Sequence, residues 1–415
     1  MARRRRAEDT CEDLMFMKAI PPSRHCQEEA TARGHSEPST STHHRAEAQP
    51  EAPRLSDVLE HTNNNFNAVR LLAALSVVVS HSFLLVIGLT AAEPLSSTPY
   101  TLGQHAVNVF FVLSGLMLSR SFAIQPNWQT FGIARALRIF PGLFVCATLV
   151  AWMLGPFGTR LSIAEYFHDG HTLTYPFATL IIFDRAQLHD MFLSGTHPGE
   201  INEPLWTLKY EVFAYIVFAV GMSLGLITKR SVIVLGCLML ATALTLANSE
   251  PSALSAPPIG SFVRFGFCFA LGIVAYRYRA KIKLSWTIAG GFLALAFVTN
   301  GTPAANVTFI FSFAYAALVL GSIRIPRVTK FTSKTDLSFG LYIYAWPIQQ
   351  LVLVAAGPAV SVWAHLTISL VLSLLFATFS WGLVEKPALS LKSRLKRSAD
   401  LAAPHEAPSR LPNHA

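Results

Sequence analysis

The chain has 415 residues, 52% of them hydrophobic and only 14% charged, with 29 phenylalanines and a mean hydropathy of +0.42. Soluble domains carry roughly 25% charged residues, so this composition argues against a water-soluble protein and for lipid as the main solvent. A net charge of +9 does not indicate a nucleic-acid partner, because the basic residues form short clusters between apolar runs rather than one patch or stripe. Among five cysteines, Cys146, Cys237 and Cys268 lie inside apolar runs and no C-x-x-C occurs, which gives neither a disulfide framework nor a zinc site.

In chain order, residues 1–62 come first. They are rich in Glu, Arg, His, Pro, Ser and Thr and nearly lack aliphatic runs. Such a segment cannot bury enough apolar surface to fold alone, and is expected to be a disordered cytoplasmic tail. Arg3, Arg4, Arg5 and Arg6 are followed by no apolar stretch, so no signal peptide is read there. Ten apolar segments follow, at about 66–89, 105–123, 133–154, 204–227, 231–248, 262–278, 284–299, 305–322, 337–356 and 359–384. Most approach the ~20 residues that a membrane-spanning helix needs. The expected fold is all-α: a polytopic membrane bundle over 63–395, with a second disordered tail at 396–415. The stretch Thr174 to Phe183 is too short to span and reads as a re-entrant or interfacial helix.

The loops set the orientation. One set of connections holds Arg120, Arg135 and Arg138; Lys229 and Arg230; Arg277, Arg279, Lys281 and Lys283; and Arg324, Arg327, Lys330 and Lys334. The C-terminal tail adds Lys386, Lys392, Arg394, Lys396 and Arg397. The alternate connections hold only Arg160 and Arg185, both in the long segment 155–203. This alternation follows the positive-inside rule and predicts both termini in the cytoplasm. The long connection carries His168, Asp169, His171, Asp184, His189, Asp190, His197 and Glu200. No metal-ligand spacing stands out among them, and no metal is expected.

Charged groups within lipid cost about 2.5–3.5 kcal/mol at mid-helix, so they persist where they face protein. In the first segment Arg70 and His81 lie eleven residues apart. At about 100° and 1.5 Å per residue they share one face, about 16 Å apart along the axis. An imidazole deep in the bundle can act as general base or carry an acyl group. An arginine nearer the cytoplasm can bind an anion. Arg135 and Arg138, at the start of the third segment, present two forked donors suited to phosphate; positive-inside flanking is the plainer role. Glu211 falls about two turns into the fourth segment, where it can orient an acceptor hydroxyl, take its proton, or pair with His81 or Lys209. Asn108 reads mainly as packing, with a second role as polar glue to the first helix. No G-x-x-x-x-G-K-[ST], H-E-x-x-H or G-x-S-x-G occurs, which removes the usual support for ATP-driven transport, zinc proteolysis and serine-hydrolase chemistry.

Several motifs, taken in order, resemble the membrane-bound acyltransferase family 3, bacterial O-acyltransferases that modify polysaccharides, lipopolysaccharide and other glycosides. They are Asn65-Phe66-Asn67-x-x-Arg70 running on to His81, Val109-Phe-Phe-Val-Leu-Ser-Gly115, and Arg135-x-x-Arg138. Then come Asn202-x-x-Leu-Trp206-Thr-Leu-x-x-Glu211, Ser338-Phe-Gly-Leu-Tyr-Ile-Tyr344 with Pro347, and Glu385-Lys-Pro387. The resemblance implies ten helices in the bacterial inner membrane and a cytoplasmic acyl-CoA donor, acetyl-CoA being the simplest. It also implies a carbohydrate or glycolipid acceptor modified on the far side. It assigns Arg70 and His81 to catalysis and a functional role to Arg135 and Arg138. Two positions depart from the pattern: Asn108 stands where many relatives carry Asp, and Ala345-Trp346 replaces a common His. Trp346-Pro347-Ile348-Gln349-Gln350 is similar to the branch associated with exopolysaccharide acetylation. The alternative from the same buried polar groups is a secondary transporter of glycolipid or oligosaccharide. Against it stands the lack of an inverted repeat or matched broken helices.

Overall fold

The computed structural model describes residues 52–60, 64–193, 196–249, 254 and 258–391. The C-terminal tail and most of the N-terminal one lie outside this range. Among the described residues there is no strand, only two isolated bridges, Arg54 with Lys283 and Thr159 with Met191. The helices are α1 (Leu55–Glu60), α2 (Phe66–Ile87), α3 (Leu102–Ile124), α4 (Trp128–Leu149), α5 (Ile163–His168), α6 (Gly170–Ile182) and α7 (Leu208–Ser223). They continue as α8 (Lys229–Ser249), α9 (Ile259–Arg277), α10 (Trp286–Val298), α11 (Ala305–Ser322), α12 (Pro326–Lys334), α13 (Ser338–Ala356) and α14 (Val362–Ser380).

Among the described residues, nine helical spans are long and apolar enough to cross a membrane, and α10 is a shorter apolar helix of 13 residues. Each of the ten expected segments is therefore a helix. α10 rises only about 20 Å, less than the ~30 Å hydrocarbon core. The chain is an all-α, multi-pass membrane protein. Lipid contact explains why large apolar side chains stay exposed along α8 (Val234, Leu238) and α14 (Val371, Leu375, Phe379). Helix α6 carries exposed Leu173, Phe177 and Ile181 at spacings of four, the stripe that an interfacial helix presents.

Local signals start these helices. Thr101 caps α3 in a reciprocal capping box with Gln104, and Ser162 does the same for α5 with Glu165. The Asp169 side chain accepts from the His171 N–H to cap α6. The Glu165 carboxyl is held below its usual range by the Ser162 hydroxyl and backbone N–H. Helix α4 runs on through a wider π-type turn at Val150–Leu154 into Gly155–Gly158. It thus outlasts its expected end.

One correction concerns the N-terminal tail. Its last stretch is folded. Leu55, Val58 and Leu59 of α1 are buried, and the Leu55 and Ser56 N–H groups donate to the Ile282 and Arg279 carbonyls at 2.9 and 3.1 Å. Tail-wide composition hides this single apolar stripe, spaced three and four residues apart.

Two compact units make up the chain. One contains the described residues up to His81, Leu89–Phe131 and Tyr210–Asp336; the other contains Ser82–Gly88, Gly132–Lys209 and the described residues from Leu337 onward. In the first unit α3 packs closely on α9. A Cβ on Gly115 would fall on the Phe269 carbonyl, and one on Gly272 on the Val112 carbonyl, so only glycine permits this approach. Phe111 stacks on Phe265 at 4.4 Å, and the two contacts together make the helices parallel. In the second unit α13 is the core. Every residue from Ser338 to Gln350 is buried, which is why its sequence is apolar on all faces.

Candidate active site

The first motif works as an anchor. Asn65 donates from Nδ2 to the Ile323 carbonyl at 2.5 Å and accepts from the Thr329 hydroxyl at 2.7 Å. Asn67 donates to the Thr332 carbonyl at 3.1 Å. Phe66 is fully buried, and a side chain on Gly321 would collide with its ring. This fixes the start of α2 against the end of α11 and against α12. Arg70, one turn further on, reaches Asp336 at 3.2 Å. Its side chain is 27% exposed and that of Asp336 14%, a pair shielded enough to hold the guanidinium but not to bury it.

Helix α2 is continuous from Phe66 to Ile87, so Arg70 and His81 do share one face. His81 is half-buried and its Nδ1 is shielded. The residue before it is tied down. Buried Ser80 donates to the Glu93 carboxylate and accepts from the Gly103 N–H at 3.0 Å. Glu93 is only 6% exposed. It went unread in the sequence because it lies in a connection, although it is the one charged residue between Gly88 and Gln104.

Glu211 also lies in the first unit. It accepts from the Tyr215 hydroxyl one turn along α7. In the second unit, Lys209 pairs with Asp184 at 3.5 Å. Asn108 is buried, but neither amide atom finds a hydrogen-bond partner. The expected polar glue to the first helix is therefore not made. A residue missed entirely is Arg264 of α9, 1% exposed, with its guanidinium over the Tyr100 ring at 5.1 Å. A lone arginine inside an apolar run was the signal. Burial pushes the Tyr100 phenol above its usual range, against the pull of Arg264.

Arg135 and Arg138 belong to the second unit. Arg138 is buried, pairs with Glu385 at 3.4 Å and lies 5.5 Å from the centre of the Phe339 ring. Glu385 in turn accepts from the Ser380 hydroxyl at 3.0 Å. Arg135 is half-buried. The Trp346–Gln350 variant has structural work here. Trp346 donates to the Glu200 carbonyl at 2.9 Å, Gln350 to the His197 carbonyl at 2.9 Å, and Gln349 to the Ser82 hydroxyl at 2.7 Å.

The long connection gathers Asp169, His171 and His189, whose ligating atoms lie within 4.8 Å of one another, a grouping that their spacing does not advertise. The Asp169 oxygens already accept from His189 at 2.7 Å and from the His171 N–H at 3.0 Å. Burial acts to raise the Asp169 carboxyl, but these donors outweigh it and hold it below its usual range.

The fold is that of a polytopic membrane protein with an imidazole and a guanidinium on one face of a continuous helix. The model of the family described as "Acyltransferase domain", acyltransferase family 3, matches residues 63–382. The chain belongs to this family and is a membrane acyltransferase. Two relatives are each 27% identical to it. One is an "O-acetyl transferase" from Shigella phage Sf6, aligned over 80% of this chain and 98% of its own length. The other is "Nodulation protein 10" from Rhizobium leguminosarum bv. viciae, aligned over 80% and 95%. No solved structure matches the chain significantly.

Proposed function

We propose that this protein moves an acetyl group from cytoplasmic acetyl-CoA to a hydroxyl of an exopolysaccharide, a lipopolysaccharide or another glycoside at the bacterial inner membrane, with both chain termini in the cytoplasm. The observation that carries this reading is the Arg70–His81 stripe on one continuous helix of a family acyltransferase, with Arg70 held by Asp336. The relative named O-acetyl transferase supports acetyl as the acyl group.

In this reading the His81 imidazole takes the proton of the acceptor hydroxyl as its oxygen attacks the thioester carbonyl. The C–S bond breaks, the ester C–O bond has formed, and the imidazolium returns its proton to the departing thiolate. The two-step variant passes the acyl group through His81 itself. Glu211 assists the acceptor. Arg135, Arg138 and Arg70 serve the coenzyme A phosphates. Arg138 is engaged by Glu385 as well, so it also holds the middle of its helix in place. Mass spectrometry of surface glycans and glycolipids, with and without the protein, is expected to show one acetyl mass gained on one sugar. Identical glycan profiles under conditions where the protein is folded and supplied with acetyl-CoA would overturn the reading.

A further inference from the structure

Arg264 is a charge in the wrong place for a merely structural residue. A guanidinium stays protonated in proteins, and a buried charge is ordinarily paired or coordinated. Here Nε and Nη1 are buried with no hydrogen-bond partner. Among the described residues, the groups that act on it electrostatically are Tyr100, Cys268, Tyr210 and His105, and none of these is a carboxylate. Aromatic faces supply what contact there is, Tyr100 at 5.1 Å and Phe265 at 4.6 Å from the guanidinium carbon to the ring centre.

The surroundings are rich in unengaged polar atoms. The Tyr100 hydroxyl, His105 Nδ1, the Ser261 hydroxyl and both amide atoms of Asn108 are buried and likewise unpartnered. Ser261 precedes Arg264 by one turn of α9 and shares its face. The parallel register of α3 and α9, fixed by Phe111 on Phe265 and Gly115 beside Phe269, sets Asn108 level with the turn Ser261–Phe265. The Tyr100 ring lies edge-on to His105 at 5.4 Å. This constellation adjoins the candidate catalytic helix within the same unit, because the Gly103 N–H between Tyr100 and His105 donates to Ser80, the residue before His81.

We propose that Arg264, with Tyr100, Asn108 and Ser261, forms a buried site for an anionic oxygen group, a carboxylate or a phosphate, carried by the carbohydrate acceptor. The acceptor assignment rests on the acyl-transfer reading above; the anion site itself does not. A fork of N–H donors flanked by hydroxyl and amide donors matches the planar or tetrahedral oxygens of such a group. Placed next to the helix that carries His81, it selects an acidic or phosphorylated sugar over a neutral one.

The test is thermal unfolding of the full-length chain in detergent micelles at constant ionic strength, with glucose, glucuronate, glucose 1-phosphate or coenzyme A. A ligand well above its Kd raises Tm by mass action. Glucuronate or glucose 1-phosphate is expected to raise Tm by a few degrees, glucose not at all, and the responding anion tells carboxylate from phosphate. Arg264→Met is expected to abolish the shift. Should that variant fail to fold, Asn108→Asp, which gives the guanidinium an internal carboxylate, is expected to raise the unliganded Tm and cancel the anion shift. His81→Ala is expected to keep the shift while losing transfer, which separates this site from the catalytic reading. No shift with either anion, an equal shift with glucose, or a shift that survives in both Arg264→Met and Asn108→Asp would overturn the proposal. A shift with coenzyme A alone that Arg264→Met removes would assign the site to the donor and overturn it equally.

Discussion

Replacing His81 by alanine is expected to lower the rate of acetyl transfer by about 10²–10⁴-fold, the range that a positioned general base contributes. The loss should fall on kcat, since in the proposed mechanism the imidazole acts on the reacting groups rather than on the coenzyme A phosphates. The fold should survive, because the hydrogen bonds of neighbouring Ser80 and Ser82 do not pass through the His81 side chain. Initial rates with radiolabelled acetyl-CoA in inverted vesicles, set beside the melting temperature of the purified variant, check both halves. If the imidazole carries the acyl group, wild-type protein given donor without acceptor holds label that His81→Ala lacks. A variant within tenfold of wild type, equally folded, would strip His81 of its role.

The largest effect on stability is expected at Glu385. Its side chain is 1% exposed and that of Arg138 10%, and Gly142 and Gly340 leave room for nothing larger beside them. Removing one partner of a buried ion pair strands the other, at a cost of about 3–5 kcal/mol. Glu385→Gln is therefore expected to destabilise the protein by about that much, whereas Arg138→Met combined with Glu385→Leu recovers most of it, as apolar replacement of buried pairs often does. A double-mutant cycle by thermal or denaturant unfolding in micelles reads the coupling. The double variant also separates two roles of Arg138. If it only holds its helix, the stable double variant keeps its KM for acetyl-CoA; if it also binds donor phosphate, KM rises while stability is regained. Coupling below about 0.5 kcal/mol, the usual limit of additivity for independent sites, would show that the two residues do not depend on each other.

Much of the fold was legible because lipid imposes a simple rule: a long apolar run must be a helix. The ten runs all became helices, and the one with fewest residues, Trp286–Val298, is the one that falls short of a full crossing. The Arg70–His81 stripe was legible for a related reason, since helical geometry alone fixes two residues eleven apart. Long-range partners were not. Asp336 reaches Arg70 across 266 residues and Glu385 reaches Arg138 across 247, and nothing local in either stretch announces the pairing. Glu93 and Arg264 were readable in principle, each a lone charge in an uncharged setting, but a site search confined to the family motifs passes over both. The hydrogen bonds by which the Trp346–Gln350 segment fastens Ser82 and the connection around His197 and Glu200 were likewise not legible, since their partners lie far off in sequence.

Acyl transfer across the bilayer, from a thioester on one side to a sugar on the other, is tested most directly in sealed vesicles of known sidedness. Labelled acetyl-CoA is supplied only at the cytoplasmic face and glycan acceptor is present only at the opposite one. Label is expected to appear as an alkali-labile ester on the glycan, in proportion to wild-type protein. Glycan that crosses or accumulates with no thioester consumed, or acetylation that proceeds equally without the cytoplasmic donor, would contradict the mechanism and favour a transporter.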